Sequence, residues 1–173
     1  MKKILSTITI ISLLSSLAIA HDDEIGGIYI GGGLSMESPT WYDSGVAGEL
    51  NIGLPLMRIG RKGVLSTEAE LSYSISSPSK NDIDFTATTF AGYIAYIYDI
   101  APRFYIKPRI GAVYRSYSID GGIWGDTTNS SYGLAYGVGG GFRLVEQTNL
   151  YMNYTMLDGS DLTHLSIGVE YQF

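Results

Sequence analysis

The 173 residues include no cysteine. No disulfide can staple the chain, and no thiol is available to carry a lipid behind a leader. Charge is sparse as well. Asp, Glu, Lys and Arg make up 16% of the residues, against about 25% in an ordinary domain, whereas a disordered chain needs high charge and few aromatics. Bases are the scarcer sign: 11 against 17 acids, a net charge of -6 and a pI near 4.7. That balance excludes a nucleic-acid binder. Beyond the first twenty residues no apolar run reaches the length of about 18 that a membrane-crossing helix needs. What the chain has in quantity is glycine, 22 residues, and tyrosine, 14. So much glycine excludes a coiled coil, and the pairing of glycine with tyrosine points to a β protein.

Lys2 and Lys3 precede an apolar stretch over 4–17, and Ala18-Ile19-Ala20 is a small-x-small cleavage site marked by Ala18 and Ala20. The acidic run His21-Asp22-Asp23-Glu24 follows at once. We therefore expect a cleavable signal peptide over 1–20 and a single barrel domain over 21–173. Cleavage leaves 153 residues with nine bases and 17 acids, a net of −8. Without an apolar helix, an exported chain of this kind can enter a membrane only as a closed barrel, where every backbone group is paired between strands.

From there to the end the sequence alternates with a period of two. Thr163, Leu165, Ile167, Val169, Tyr171 and Phe173 share one face; His164, Ser166, Gly168, Glu170 and Gln172 share the other. Residues 65–75 repeat the pattern. The alternation predicts eight strands over 25–34, 45–54, 64–75, 84–98, 103–117, 131–144, 149–157 and 162–173, separated by Pro, Gly, Asn and Asp signals. Pro108 falls inside the fifth strand and predicts a bulge or gap there. Strands of about ten residues cross a bilayer when tilted by about 45°. The expected fold class is all-β: an eight-stranded antiparallel up-and-down transmembrane β-barrel.

Alternation does not say which face is inside, because a soluble barrel turns its apolar face inward and a membrane barrel outward. Three features favour the outward arrangement. Glycines crowd the polar face (Gly27, Gly31, Gly33, Gly53, Gly111, Gly133, Gly137, Gly139, Gly141, Gly168), where they would weaken a solvated strand but leave room in a narrow lumen. The same face carries Glu49, Glu68, Glu70 and Glu170 with Lys107, Arg109, Arg115 and Arg143, a balanced set such as a closed interior requires. The surplus acid (Glu37, Asp43, Asp82, Asp120, Asp126, Asp158, Asp161) is assigned to the connections. Aromatics on the apolar face fall near two rims, Phe104, Phe142, Tyr171 and Phe173 at one and Tyr73, Tyr114 and Tyr132 at the other.

The last strand, Val169-Glu170-Tyr171-Gln172-Phe173, resembles the terminal strand of bacterial outer-membrane proteins, and Tyr132 to Leu144 with Asn149-Leu150-Tyr151 is similar to later strands of the OmpA transmembrane-domain and opacity-protein families. The resemblance implies a small porin-family barrel in the cell outer membrane. Its Val169, Tyr171 and Phe173 would be read by the outer-membrane assembly machinery, and lipid and lipopolysaccharide would surround it. It also implies a periplasmic N-terminus and outer loops at 35–44, 76–83, 118–130 and 158–161. The first periplasmic turn, 55–63 with Arg58, Arg61 and Lys62, would then be as long as an outer loop.

Candidate chemistry is thin. His164-Leu165-Ser166 matches the His-x-Ser pair of a lipid A deacylase family, but it faces the lumen and no carboxylate on its own strand is placed to orient the imidazole. Two histidines and no cysteine predict no metal site, and the glycine runs at 31–33 and 139–141 are not phosphate loops. No catalytic residue and no cofactor are expected. The lumen charges are expected to interlock into a plug, or to act as a gate if one pair exchanges partners. Four readings stay open: a monomeric, non-enzymatic barrel serving envelope integrity or surface contact through its loops, a narrow channel for ions or small solutes, a lipid A-modifying enzyme, and a soluble periplasmic barrel. For the first, an extracellular ligand would meet loop 118–130, with Trp124 as its candidate contact.

Overall fold

The computed structural model describes residues 27–40, 43–76, 79–80, 83–120, 127–157 and 162–173. Its strands are β1 Tyr29–Pro39, β2 Gly45–Ile59, β3 Gly63–Ser76, β4 Ser79–Lys80, β5 Ile83–Ala101, β6 Phe104–Asp120, β7 Thr127–Val145, β8 Thr148–Leu157 and β9 Leu162–Gln172. Two-residue β4 pairs only with the start of β5. The other eight pair antiparallel with their neighbours in chain order; β3 pairs with β5, and β9 with β1, so the sheet closes on itself. Where all eight strands overlap, closure gives each one a ladder on both sides. Among the described residues no helix is long and apolar enough to cross a membrane.

The two faces of the sheet are inverted relative to a soluble protein. Leu50 and Ile167, each 62% exposed, stand on the outside, whereas Lys107 is 1% exposed inside. An outer surface this apolar is stable only in hydrocarbon. Aromatic pairs mark its limits. Phe104 meets Phe142 with ring centroids 4.9 Å apart near one rim, and Tyr114 meets Tyr132 at 4.9 Å near the other. The ten residue steps from Tyr132 to Phe142 are about 33 Å of strand, or ~23 Å of height at a tilt near 45°. That matches the ~25 Å apolar band of outer-membrane barrels.

The inner end of the barrel holds both described chain ends and the tight turns at 60–62, 102–103 and 146–147. The first of these corrects the long basic turn expected at 55–63. β2 continues through Pro55 to Ile59 by shifting register between Pro55 and Met57, because a bulge absorbs the missing N–H. Gly60, at φ 68°, makes the reversal. Arg58 is thus a strand residue, and only Arg61 and Lys62 lie in the turn. The first strand is also displaced, running to Pro39 rather than ending at 34. Polar Ser35 and Glu37 continue its inward face opposite Ser166 and His164. Pro108 stays in register with Val138 on β7, while the ladder to β5 skips from Ala95↔Arg109 to Tyr98↔Ile106. That is the gap expected from a residue with no N–H to donate.

Candidate functional site: the charged lumen

Four tyrosines point inward, and each faces a glycine across the sheet: Tyr29↔Gly53, Tyr93↔Gly111, Tyr105↔Gly141 and Tyr151↔Gly168. A Cβ on Gly53 would collide with the Tyr29 ring, and one on Gly168 would crowd the Tyr151 ring. Gly53, Gly141 and Gly168 leave room for the Tyr29, Tyr105 and Tyr151 rings, and all four hydroxyls reach lumen carboxylates. Tyr29 donates to Glu68 Oε1 at 2.5 Å, Tyr105 to Glu170 Oε2 at 3.2 Å, Tyr93 to Glu70 Oε1 at 3.3 Å and Tyr151 to Glu49 Oε1 at 3.3 Å.

Two cations sit among these acids. Lys107 Nζ lies 2.7 Å from Glu68 Oε1 and 3.0 Å from Glu170 Oε1. Arg109 Nη1 lies 2.6 Å from Glu70 Oε2 and 3.6 Å from Glu68 Oε2, and its Nη2 donates to Thr155. Aromatic faces complete the coordination: the Arg109 guanidinium is 4.3 Å from the Tyr93 ring centre, and Lys107 Nζ is 5.6 Å from that of Tyr29. All five charged side chains are buried. Removed from water, such charges are stable only when every one is paired and hydrogen-bonded. This inner tier meets that condition apart from two atoms, Arg109 Nε and Glu68 Oε2, which accept or donate no hydrogen bond within the chain.

The outer tier is built differently. Ser166 donates to Glu49 Oε2 at 2.5 Å, and Ser74 donates to Glu37 Oε2 at 2.6 Å. His164 Nε2 lies 3.4 Å from Glu37 Oε1. Among the described residues no lysine or arginine is paired with Glu37 or Glu49. A small apolar cluster of Ala91, Tyr93, Val113, Ala135, Leu157 and Leu162 occupies the neighbouring wall.

A closed antiparallel barrel with an apolar exterior bounded by aromatic girdles and a charged interior is one architecture seen in several lineages. The sequence comparison decides the lineage: the model of the outer membrane protein beta-barrel domain matches residues 6–173. The chain belongs to that family. The place of this outer-membrane barrel is the bacterial outer membrane. No curated protein matches it by sequence similarity. Among solved structures it is similar to the attachment invasion locus protein Ail of Yersinia pestis, at 16% identity and TM-score 0.60, over 86% of this chain and 97% of that one. Neisserial surface protein A is similar at 18% identity and TM-score 0.61, over 85% and 97%. The N-terminal β-barrel domain of Pseudomonas aeruginosa OprF is similar at 12% identity and TM-score 0.60, over 86% and 99%.

Within this family barrel the expected lumen set divides. Glu68, Glu70, Lys107, Arg109 and Glu170 come together, and Glu49 joins through Tyr151 and Ser166. Arg143 stands apart at the inner rim, 2.6 Å from Asp99 and about one-third exposed. Arg115 is half-buried toward the outer end, with Nη2 3.5 Å from Ser131 Oγ. The expected equality of four acids and four bases is therefore wrong at depth. Glu37, assigned to a loop, is fully buried, and the buried set holds five glutamates against Lys107, Arg109 and one histidine. Glu37 is also the carboxylate that His164 lacked on its own strand. His164 and Ser166 are both buried in the lumen, and the Ser166 hydroxyl donates its hydrogen bond to Glu49 rather than to the imidazole. Val169, Tyr171 and Phe173 lie on the outer face of β9. Trp124, Ala18 and Ala20 lie outside the described residues. The inward tyrosines were missed, although their signal is simple: on the inward parity of four of the eight barrel strands, a tyrosine opposes a glycine.

Proposed function

We propose that this protein is a non-enzymatic outer-membrane scaffold, closed through its lumen, that serves envelope integrity and surface contact through its outer connections. The observation that supports this reading is the inner tier, where Lys107 and Arg109 each bridge two buried glutamates and fill the bore with paired charge. Eight strands leave an interior that side chains can fill. The outer connections at 40–44, 77–82, 121–126 and 158–161 carry five acids and one lysine. Ail has been solved in complex with the heparin analogue sucrose octasulfate, but acidic connections suit a basic partner surface rather than such a polyanion.

A channel reading has one observation in its favour. Arg109 Nη1 is 2.6 Å from Glu70 and 3.6 Å from Glu68, so a small movement would exchange its partner. Planar-bilayer recording of refolded residues 21–173, with folding checked by a heat-dependent gel shift, separates the two. We expect a folded and silent barrel. Discrete, reproducible openings would overturn the closed scaffold and make Arg109 a gate.

A further inference from the structure

We propose that the junction of the two tiers of the lumen is a binding site for one divalent transition-metal ion of the zinc class, held by Glu49 and His164 of the outer tier and Glu70 of the inner one. One potential ligand atom from each of the three lies within 4.8 Å of the others, and all three residues are buried. Ligand atoms around zinc stand roughly 3–3.5 Å apart, given bonds of about 2.0–2.2 Å. A contraction of about an ångström, within the reach of two glutamate side chains, would close the site.

The histidine points to this use. His164 is fully buried, yet neither ring nitrogen makes a hydrogen bond within the chain. Leaving such a group unpartnered is costly, and native interiors rarely do so without a reason. Its Nε2 is 3.4 Å from Glu37 Oε1. A carboxylate at one nitrogen is the usual device for orienting an imidazole whose other nitrogen binds a metal. That leaves Nδ1 as the donor. Asn51 supports the same reading. Both polar atoms of its buried amide lack a partner, it is the register partner of Glu70, and it lies two residues from Glu49 on the same face.

The charge balance agrees. Five buried glutamates face two buried bases, so the lumen holds an excess of negative charge that protons or a cation must offset. The inner tier assigns its two bases to Glu68, Glu70 and Glu170, which leaves the excess around Glu37 and Glu49. An imidazole in the donor set selects a transition metal over calcium or magnesium, which prefer oxygen alone. The site shares Glu70 with the inner tier, where that carboxylate also meets Arg109, and it stands whether or not the barrel conducts.

The test uses the refolded barrel without a histidine tag and with His21→Ala, so that His164 is the sole imidazole. Zinc chloride is added during refolding and again afterwards. We expect one bound zinc per barrel by elemental analysis after dialysis, a higher unfolding temperature by the gel-shift assay, and a displaced imidazole nitrogen resonance in the NMR spectrum. Glu170→Gln, in the inner tier, should keep the bound ion, and His164→Gln and Glu49→Gln should each lose it by at least tenfold in affinity. If the imidazole resonance does not move with zinc, the proposal fails even where a variant does not fold. Binding undiminished in a folded His164→Gln barrel would also overturn it and assign the ion to surface acids.

Discussion

The two tiers of the lumen share the same inward parity and draw in common on β3 and β9, yet they solve the problem of buried charge in opposite ways. In the inner tier each cation is shared: Lys107 between Glu68 and Glu170, Arg109 between Glu70 and Glu68. In the outer tier Glu37 and Glu49 are held by serines, a tyrosine and a histidine. The difference separates two contributions to a membrane barrel. Complementary charge locks the inner tier, whereas hydroxyls and one histidine hold the outer one, with no lysine or arginine among its described partners, and leave it acidic.

Breaking the inner lock should have the largest effect. Lys107→Met removes the cation that Glu68 and Glu170 share, and leaving buried carboxylates uncompensated costs about 3–5 kcal/mol. Urea titration of the refolded barrel in vesicles should show that loss. Glu49→Gln should cost less than about 1.5 kcal/mol in the same assay without added metal, since no cation is orphaned and the amide keeps an acceptor for Tyr151. A loss as large as that of Lys107→Met would erase the distinction between the tiers. Arg143→Ala should have the smallest effect. Its pair with Asp99 sits at the rim, about one-third exposed, where ion pairs contribute ~0–1 kcal/mol. A greater loss would extend the inner lock to the periplasmic edge.

Much of this was legible in the sequence because period-two alternation is a local signal. It identified the eight barrel strands, and parity alone put Glu68, Glu70, Lys107, Arg109 and Glu170 on one face. Depth was not legible. How far each strand is staggered against the next is a property of the closed ladder, so nothing in the residues near 143 revealed that Arg143 meets Asp99 rather than Glu170. The same blindness hid Glu37. Its parity was right, but with the first strand ended at 34 it fell into a loop, and only the pairing of β1 with β9 carries it to His164. The interior tyrosines were hidden by abundance, since tyrosine occurs on both faces. The turn at 55–63 was misread because Pro55 and three bases look like a loop when the bulge that accommodates proline is not visible.

The strands also end at unequal heights. β6 runs six residues past Tyr114, to Asp120, and β7 begins five residues before Tyr132, at Thr127, whereas β8 and β9 stop at Leu157 and Leu162. Leu157 is in register with Ala135, below the Tyr132 girdle. The outward mouth is therefore cut on a slant. One flank continues past the Tyr114–Tyr132 girdle as a hydrogen-bonded screen of β5, β6 and β7, and on the opposite flank β8 and β9 end below it. A molecule arriving at this mouth is met side-on, with hydrogen-bonded backbone along one flank.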